Sequence, residues 1–66
     1  MEQIIKNIAL LDTLNFCKSH NIDPSGTHIH KYPRRFTYAL VRISDGKALV
    51  TVTYYKNQAP LYMYNQ

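Results

Sequence analysis

Residues 36–55, FTYALVRISDGKALVTVTYY, decide the fold because they read as two β-strands joined by a tight turn. Apolar and polar side chains alternate on both sides of Asp45-Gly46. This dipeptide between two such runs is typical of a two-residue type I′ loop, which needs positive φ at both positions. The sequence therefore predicts a β-hairpin in which Ser44 pairs with Lys47.

The predicted pairing sorts the hairpin side chains into two sets with different chemistry, because a register fixes which residues share a face. A largely apolar set is predicted to face the core: Thr37, Ala39, Val41, Ile43, Ala48, Val50, Val52 and Tyr54. A set that combines aromatic rings, hydroxyls and positive charge is predicted to face outward: Phe36, Tyr38, Leu40, Arg42, Lys47, Leu49, Thr51, Thr53 and Tyr55. The outward set is the best clue to function.

Residues 2–20 lack Gly and Pro and are predicted to form a helix that is apolar on several sides. One stripe comprises Ile4, Ile8, Leu11 and Leu14, a second comprises Ile5, Ala9 and Phe16, and Leu10 and Cys17 lie on a third side. A helix that packs on one side only does not need all of these residues. Either the rest of the chain wraps nearly the whole helix, or one stripe contacts a second molecule. We favour the second interpretation, most simply a homodimer through the helix.

The remaining segments complete an α-β-β-β order. The helix is expected to end near Asn21, which tolerates a left-handed conformation. Residues 27–35 read as a basic connector into the hairpin, and residues 61–64 as a short final strand. The prediction is an α+β fold, with one N-terminal helix packed on a three-stranded antiparallel sheet.

Two registers remain open for the final strand. A five-residue loop before it places Tyr62 and Tyr64 on the core face, whereas a four-residue loop places Met63 there and both tyrosines on the outward face. The second register would gather these tyrosines with Tyr38 and Tyr55.

Length and cysteine content bound the class of protein. The chain has 66 residues, which predicts one small domain over residues 1–66. Domains of this size bury only about 60% of the surface of the unfolded chain, so their stability is marginal. Cys17 is the single cysteine, which favours a reducing compartment, and no secretory signal or membrane-spanning stretch is evident. We expect a cytoplasmic protein with no membrane association and no cofactor.

Positive charge is concentrated in the second half of the chain. The net charge is +4. Residues 1–30 carry two basic and three acidic side chains, whereas residues 31–66 carry six basic side chains against Asp45 alone. Such asymmetry is typical of proteins that bind a polyanion or an acidic protein.

These observations predict a small basic protein that binds nucleic acid or regulates a partner, and no enzyme. Surfaces that bind nucleic acid commonly combine aromatic rings that stack on bases with cations that bind phosphates. The predicted binding residues are Lys31, Arg34, Arg35, Phe36, Tyr38, Arg42, Lys47 and Tyr55. The alternative is an inhibitor or adaptor, for example of the phage anti-defence type, that docks the same face on an acidic protein.

Two further possibilities concern histidines. Cys17, His20, His28 and His30 have a spacing that could surround Zn²⁺, although one Cys with three His is an uncommon ligand set. Gly26-Thr27-His28, between a helix and a strand, resembles the small RNA-cleaving toxins with a double-stranded-RNA-binding-like fold. That resemblance covers three residues and implies His28 as a general base or acid. No phosphate-binding glycine loop or carboxylate pair is present in the sequence.

Overall fold

The computed structural model describes residues 2–34 and 36–65 and comprises one helix and a four-stranded antiparallel sheet. The elements are α1 (Glu2–Ser19), β1 (Thr27–Lys31), β2 (Thr37–Arg42), β3 (Ala48–Thr53) and β4 (Leu61–Tyr64). Each strand pairs with the next in the order β1-β2-β3-β4. The predicted α+β class is confirmed, but the prediction of three strands is wrong.

The additional strand is β1, which lies in the segment predicted to be a connector. Thr27, Ile29 and Lys31 are half-buried, whereas His28 and His30 are exposed. This two-residue period is that of a strand with one face against the core. The basic residues of the segment do not prevent pairing, because β1 is an edge strand and hydrogen-bonds only with β2.

Helix α1 ends as the sequence predicts. Asn21 adopts φ 56°, and the N–H of Ile22 donates to the carbonyl oxygen of Cys17 at 2.8 Å. This bond and the left-handed residue form a common C-terminal cap, in which a free helix carbonyl is satisfied. The cap turns the chain back towards the sheet.

One side of α1 packs closely on the sheet because its central residues are small. Ala9, Thr13 and Cys17 follow one another at four-residue spacing and are fully buried. The Thr13 hydroxyl donates to the carbonyl oxygen of Ala9 at 2.8 Å, so burying it leaves no unsatisfied polar atom. The helix therefore covers one face of the sheet.

The core between α1 and the sheet forms two connected clusters. The first contains Cys17, Ile22, Leu40, Leu49 and Val50, and the second contains Ala9, Tyr38 and Val52. Ile29 and Tyr62 pack against both clusters. The outer strands thus close the two sides of the core.

The hairpin turn is wider than predicted. The N–H of Arg42 donates to the Lys47 carbonyl, and the N–H of Gly46 donates to the Arg42 carbonyl, both at 2.8 Å. Gly46 has φ +70°, but Asp45 is not among the residues with positive φ. The loop therefore spans residues 43–46, and the predicted pairing of Ser44 with Lys47 is wrong.

A β-bulge changes the register of the hairpin. Val41 pairs with Ala48, but the preceding residue Leu40 pairs with Val50, which leaves Leu49 without a partner in β2. An extra residue in one strand switches the face of every side chain beyond it. The bulge places Leu49 in the core beside Cys17, where its side chain is largely buried.

The bulge reverses the predicted assignment of β2. Tyr38 and Leu40 face the helix and are 1% and 0% exposed, whereas Ala39 and Val41 lie on the opposite face of the sheet. Val50, Val52 and Tyr54 belong to the helix side as predicted. Ile43, predicted to be in the core, is exposed in the turn.

The faces of β4 are those expected from the five-residue loop, although residues 54–60 lie between β3 and β4. Tyr62 pairs with Val52, faces the helix and stacks on Phe16 at 4.9 Å between ring centroids. Met63 pairs with Thr51 and lies on the other face of the sheet. Tyr64 lies at the core-side edge and is half-exposed. No helix in the described ranges is long and apolar enough to cross a membrane.

Candidate functional site

One face of the sheet is not covered by α1 and bears a groove that could bind a ligand. We call it the uncovered face. It carries the side chains that alternate with the core residues: His28, His30, Thr37, Ala39, Val41, Ala48, Thr51, Thr53, Leu61 and Met63. The centre of the uncovered face is a depression, because β2 and β3 contribute only alanine, valine and threonine there. The larger histidine, leucine and methionine side chains lie on the two edge strands.

A groove of about 720 Å³ runs over this face, a volume typical of ligand sites. The hydroxyls of Thr37 and Thr53 lie 3.2 Å apart on its floor. Thr37 is buried, but Thr51 and Thr53 are partly exposed, and their hydroxyls can donate and accept hydrogen bonds on an otherwise apolar surface. Among the described residues, the groove is lined by Tyr32, Pro33, Arg34, Thr37, Ala48, Thr51, Thr53, Met63 and Asn65.

The segment between β1 and β2 forms one end of the groove. The N–H of Tyr32 donates to the Thr37 carbonyl at 2.9 Å, which continues the β1–β2 pairing beyond Lys31. The Tyr32 ring contacts His30 edge to face at 5.6 Å. Arg34 is exposed at this end and lines the groove. A ring and a guanidinium group are thereby held beside the threonine floor.

Some of the predicted cations contact other residues of the protein, whereas others are exposed and form no ion pair among the described residues. Arg42 binds Asp45 through two nitrogens, at 2.9 and 3.2 Å, and this is the single ion pair found in residues 2–34 and 36–65. The backbone N–H of Lys47, followed by Arg42, holds the pKa of the Asp45 carboxyl below its usual range. Arg42 therefore contacts the turn in this structure, which the sequence did not reveal.

Lys31 is also engaged on the helix side of the sheet. Its ammonium group donates to the Tyr32 carbonyl at 3.0 Å and lies 5.9 Å from the centre of the Tyr38 ring.

Three other cations are exposed and form no ion pair within the described ranges: Arg34, Lys47 and Lys56. Arg35 lies outside the described residues. Of the two connector cations that the structure describes, Lys31 and Arg34, Arg34 lies at the groove.

The predicted aromatic residues do not form one surface. Tyr38 is buried in the core, so the prediction that it faces outward is wrong, and the bulge is the reason. Phe36 and Tyr55 are exposed and line a second, more apolar pocket of about 420 Å³ with Ile5, Tyr54 and Lys56. Because Ile5 belongs to α1, this pocket lies on the helix side, beside the N-terminal end of the helix.

Several groove residues were missed by the sequence analysis. Tyr32, Met63 and Asn65 become neighbours of Arg34 and the threonine floor only through the four-stranded order and the bulge. The alternation of Thr27, His28, Ile29, His30 and Lys31 is a sequence signal that could have identified β1, because period two is the signature of a strand.

The four residues considered as metal ligands are not brought together. Cys17 is buried in the core, and burial raises the pKa of its thiol. His20 stacks on Phe16 at 4.0 Å, with Nδ1 2.9 Å from the Phe16 carbonyl oxygen. His28 and His30 lie on the uncovered face. Residues 2–34 and 36–65 contain no group of three or more His, Cys, Asp or Glu side chains that could hold a metal ion.

No protein-family model, no curated protein and no solved structure matches this chain.

Proposed function

We propose that this protein binds nucleic acid, preferentially single-stranded, along the groove of the uncovered face. The observation that carries the proposal is the position of Arg34 beside Tyr32 and the threonine floor, in a chain of net charge +4. A cation for phosphate, a ring for base stacking and hydroxyls for base edges are the groups such sites use.

A concave site favours a single strand over a duplex. A β-ribbon that reads duplex DNA inserts projecting side chains into the major groove. Here the centre of the face bears Thr37, Ala39 and Thr51, which are short, and the long side chain of Arg42 is bound to Asp45. An extended strand can instead lie in the groove with its bases on the sheet and a phosphate near Arg34.

The proposal is tested by fluorescence anisotropy with labelled single-stranded and duplex oligonucleotides at low salt. Arg34→Ala should weaken binding and lower the slope of log K against log salt by about 0.7, the value for one lost contact to a single strand. Lys18→Ala is the matched control, because it removes the same charge from the far end of the helix. Equal effects of the two substitutions would show that only net charge matters.

A second experiment addresses the groove itself. Thr51→Glu places a carboxylate on the groove floor and should weaken binding by more than about tenfold through repulsion of phosphate. Thr51→Gln has nearly the same shape without the charge and should bind much more tightly than Thr51→Glu. Circular dichroism of both variants checks the fold. Similar affinity of the two variants would exclude the groove as the binding site.

A second candidate function is that of an inhibitor or adaptor that binds another protein. It is favoured by the apolar pocket beside Phe36 and Tyr55, which are 53% and 42% exposed. Aromatic side chains are enriched at protein interfaces. Pull-down from the native host with and without nuclease separates the two functions. A nucleic-acid binder loses its captured partners after nuclease treatment, whereas an inhibitor retains a protein at stoichiometric amounts.

A further inference from the structure

The outer side of α1 carries an exposed apolar stripe. Ile4, Ile8 and Leu11 are 60%, 48% and 63% exposed, although large aliphatic side chains are usually buried. Their spacing of four and three residues places them in one line along the helix, opposite the buried line of Ala9 and Thr13. Leu14, which the sequence places in the same stripe, packs instead against the core.

This side of the helix is also uncharged. Every exposed side chain between Gln3 and Asn15, a stretch that the structure describes completely, is neutral: Gln3, Ile4, Asn7, Ile8, Leu11 and Asn15. The charged residues within the stretch, Lys6 and Asp12, are half-buried. A solvated helix face normally carries charges. The outer side of α1 therefore has the composition of an interface centre, which is apolar with few charges.

The absence of charge favours a second copy of this chain, over an acidic protein or a lipid surface, as the partner. An acidic partner would be attracted to exposed cations such as Arg34, Lys47 and Lys56 and not to this stripe. A lipid surface requires several flanking Lys or Arg residues, and Lys18 is the one exposed cation of the helix. Two copies of a chain with net charge +4 repel one another, and a neutral surface is where this repulsion is least.

We propose that two copies associate through α1 in an antiparallel arrangement around a two-fold axis near Ile8. In such an arrangement Ile4 of one copy meets Leu11 of the other and Ile8 meets its own equivalent, so the stripe is self-complementary. The antiparallel direction also sets opposite ends of the two helix dipoles side by side. The two uncovered faces then point outward on opposite sides of the dimer.

The expected dimer is weak and depends on concentration. Stable interfaces bury about 1,200–2,000 Å², and a stripe of two helical turns provides less, as in transient contacts. Sedimentation equilibrium from low micromolar to millimolar protein is the appropriate measurement. Ile8→Glu should weaken association by more than about tenfold, because it places two carboxylates against each other at the axis.

Ile43→Glu is the matched control. Ile43 is 68% exposed in the hairpin turn, so the same substitution removes an exposed isoleucine away from the helix. It should leave association unchanged. Both variants should show wild-type circular dichroism, since neither side chain is buried. A wild-type protein that remains monomeric at millimolar concentration, or equal loss of association in both variants, would overturn the proposal.

Oxidative cross-linking tests the arrangement. Ile8→Cys should form an intermolecular disulfide, because a two-fold axis at this residue brings its two copies within the 3.5–4.5 Å or so that bonded Cβ atoms require. Asn15→Cys should not, since the antiparallel helices carry its two copies apart. Cys17 is buried and does not compete. Equal cross-linking of the two variants would refute the antiparallel pairing. Neither result depends on nucleic-acid binding.

Discussion

One hydrogen bond joins the helix to the segment that follows β3. Tyr54 donates its hydroxyl to a carboxylate oxygen of Asp12 at 2.6 Å, across 42 positions of sequence. Both side chains are half-buried. Tyr54→Phe removes the hydroxyl but keeps the ring beside Tyr38, so the change isolates this bond. We expect the variant to fold and to be less stable.

The size of the effect follows from the geometry. Hydrogen bonds to charged groups contribute about 1.5–3 kcal/mol when buried, and partial exposure of both partners lowers this to about 1–2 kcal/mol. A chain of this length is expected to have an unfolding free energy of only about 3–10 kcal/mol. The melting temperature should therefore fall by roughly 4–16 °C, at about 4–8 °C per kcal/mol.

Urea denaturation and a double-mutant cycle with Asp12→Asn measure this contribution. Because the two residues contact each other, their effects should be non-additive by about 1 kcal/mol. An unfolding free energy of Tyr54→Phe within about 0.3 kcal/mol of wild type, or strictly additive effects, would refute the reasoning.

Because of the hydrogen bond between Tyr54 and Asp12, we expect the free energy of unfolding to fall at alkaline pH. Burial, followed by the hydrogen bond to Asp12, raises the pKa of Tyr54 well above its usual range. A folded-state pKa above the unfolded value means that the stabilisation is complete below about pH 10 and is lost as the pH rises further. Burial also raises the pKa of Tyr38 and Tyr62, so Tyr54→Phe should reduce the alkaline loss without abolishing it. An unfolding free energy that is flat up to pH 11 would contradict this.

Three further predictions concern the core and the turn. Tyr38→Ala should lower the free energy of unfolding, measured by urea denaturation, by about 3–5 kcal/mol, because it deletes a fully buried ring. An effect below about 1 kcal/mol would contradict the burial of Tyr38. Gly46→Ala should lower the free energy of unfolding by about 1–2 kcal/mol, because alanine is strained at φ +70°. No atom lies near the added Cβ, so a neutral result would contradict the left-handed turn. The buried thiol of Cys17 should react with thiol reagents only at the rate of unfolding, and rapid labelling of the folded protein would show that the helix packs otherwise.

The elements of the fold were largely predictable because their signals are local. The absence of Gly and Pro marked the helix, Asn21 marked its end, and Asp45-Gly46 marked the turn. The bulge was not predictable in this way. Its extra residue, Leu49, is accommodated because its side chain packs beside Cys17, a contact between distant parts of the chain that strand periodicity does not encode.

The candidate site was predicted less well for the same reason. Arg34 lines the groove of the uncovered face, and Thr51 and Thr53 face outward as expected. Tyr38 was assigned to the wrong face because the register changes at the bulge. The ion pair of Arg42 with Asp45 was not predicted, because a sequence does not show how the turn positions the two side chains.

The bulge at Leu49 also constrains how this chain can change its length over evolution. Deleting that single residue would leave β2 and β3 paired with the opposite parity, so either Ala39 and Val41 would turn inward or Val50 and Val52 would turn outward. A one-residue gap in β3 therefore amounts to exchanging the inside and the outside of the hairpin. Among descendants of this sequence we expect gaps to accumulate in the loop at residues 55–60 and to be absent from residues 48–53.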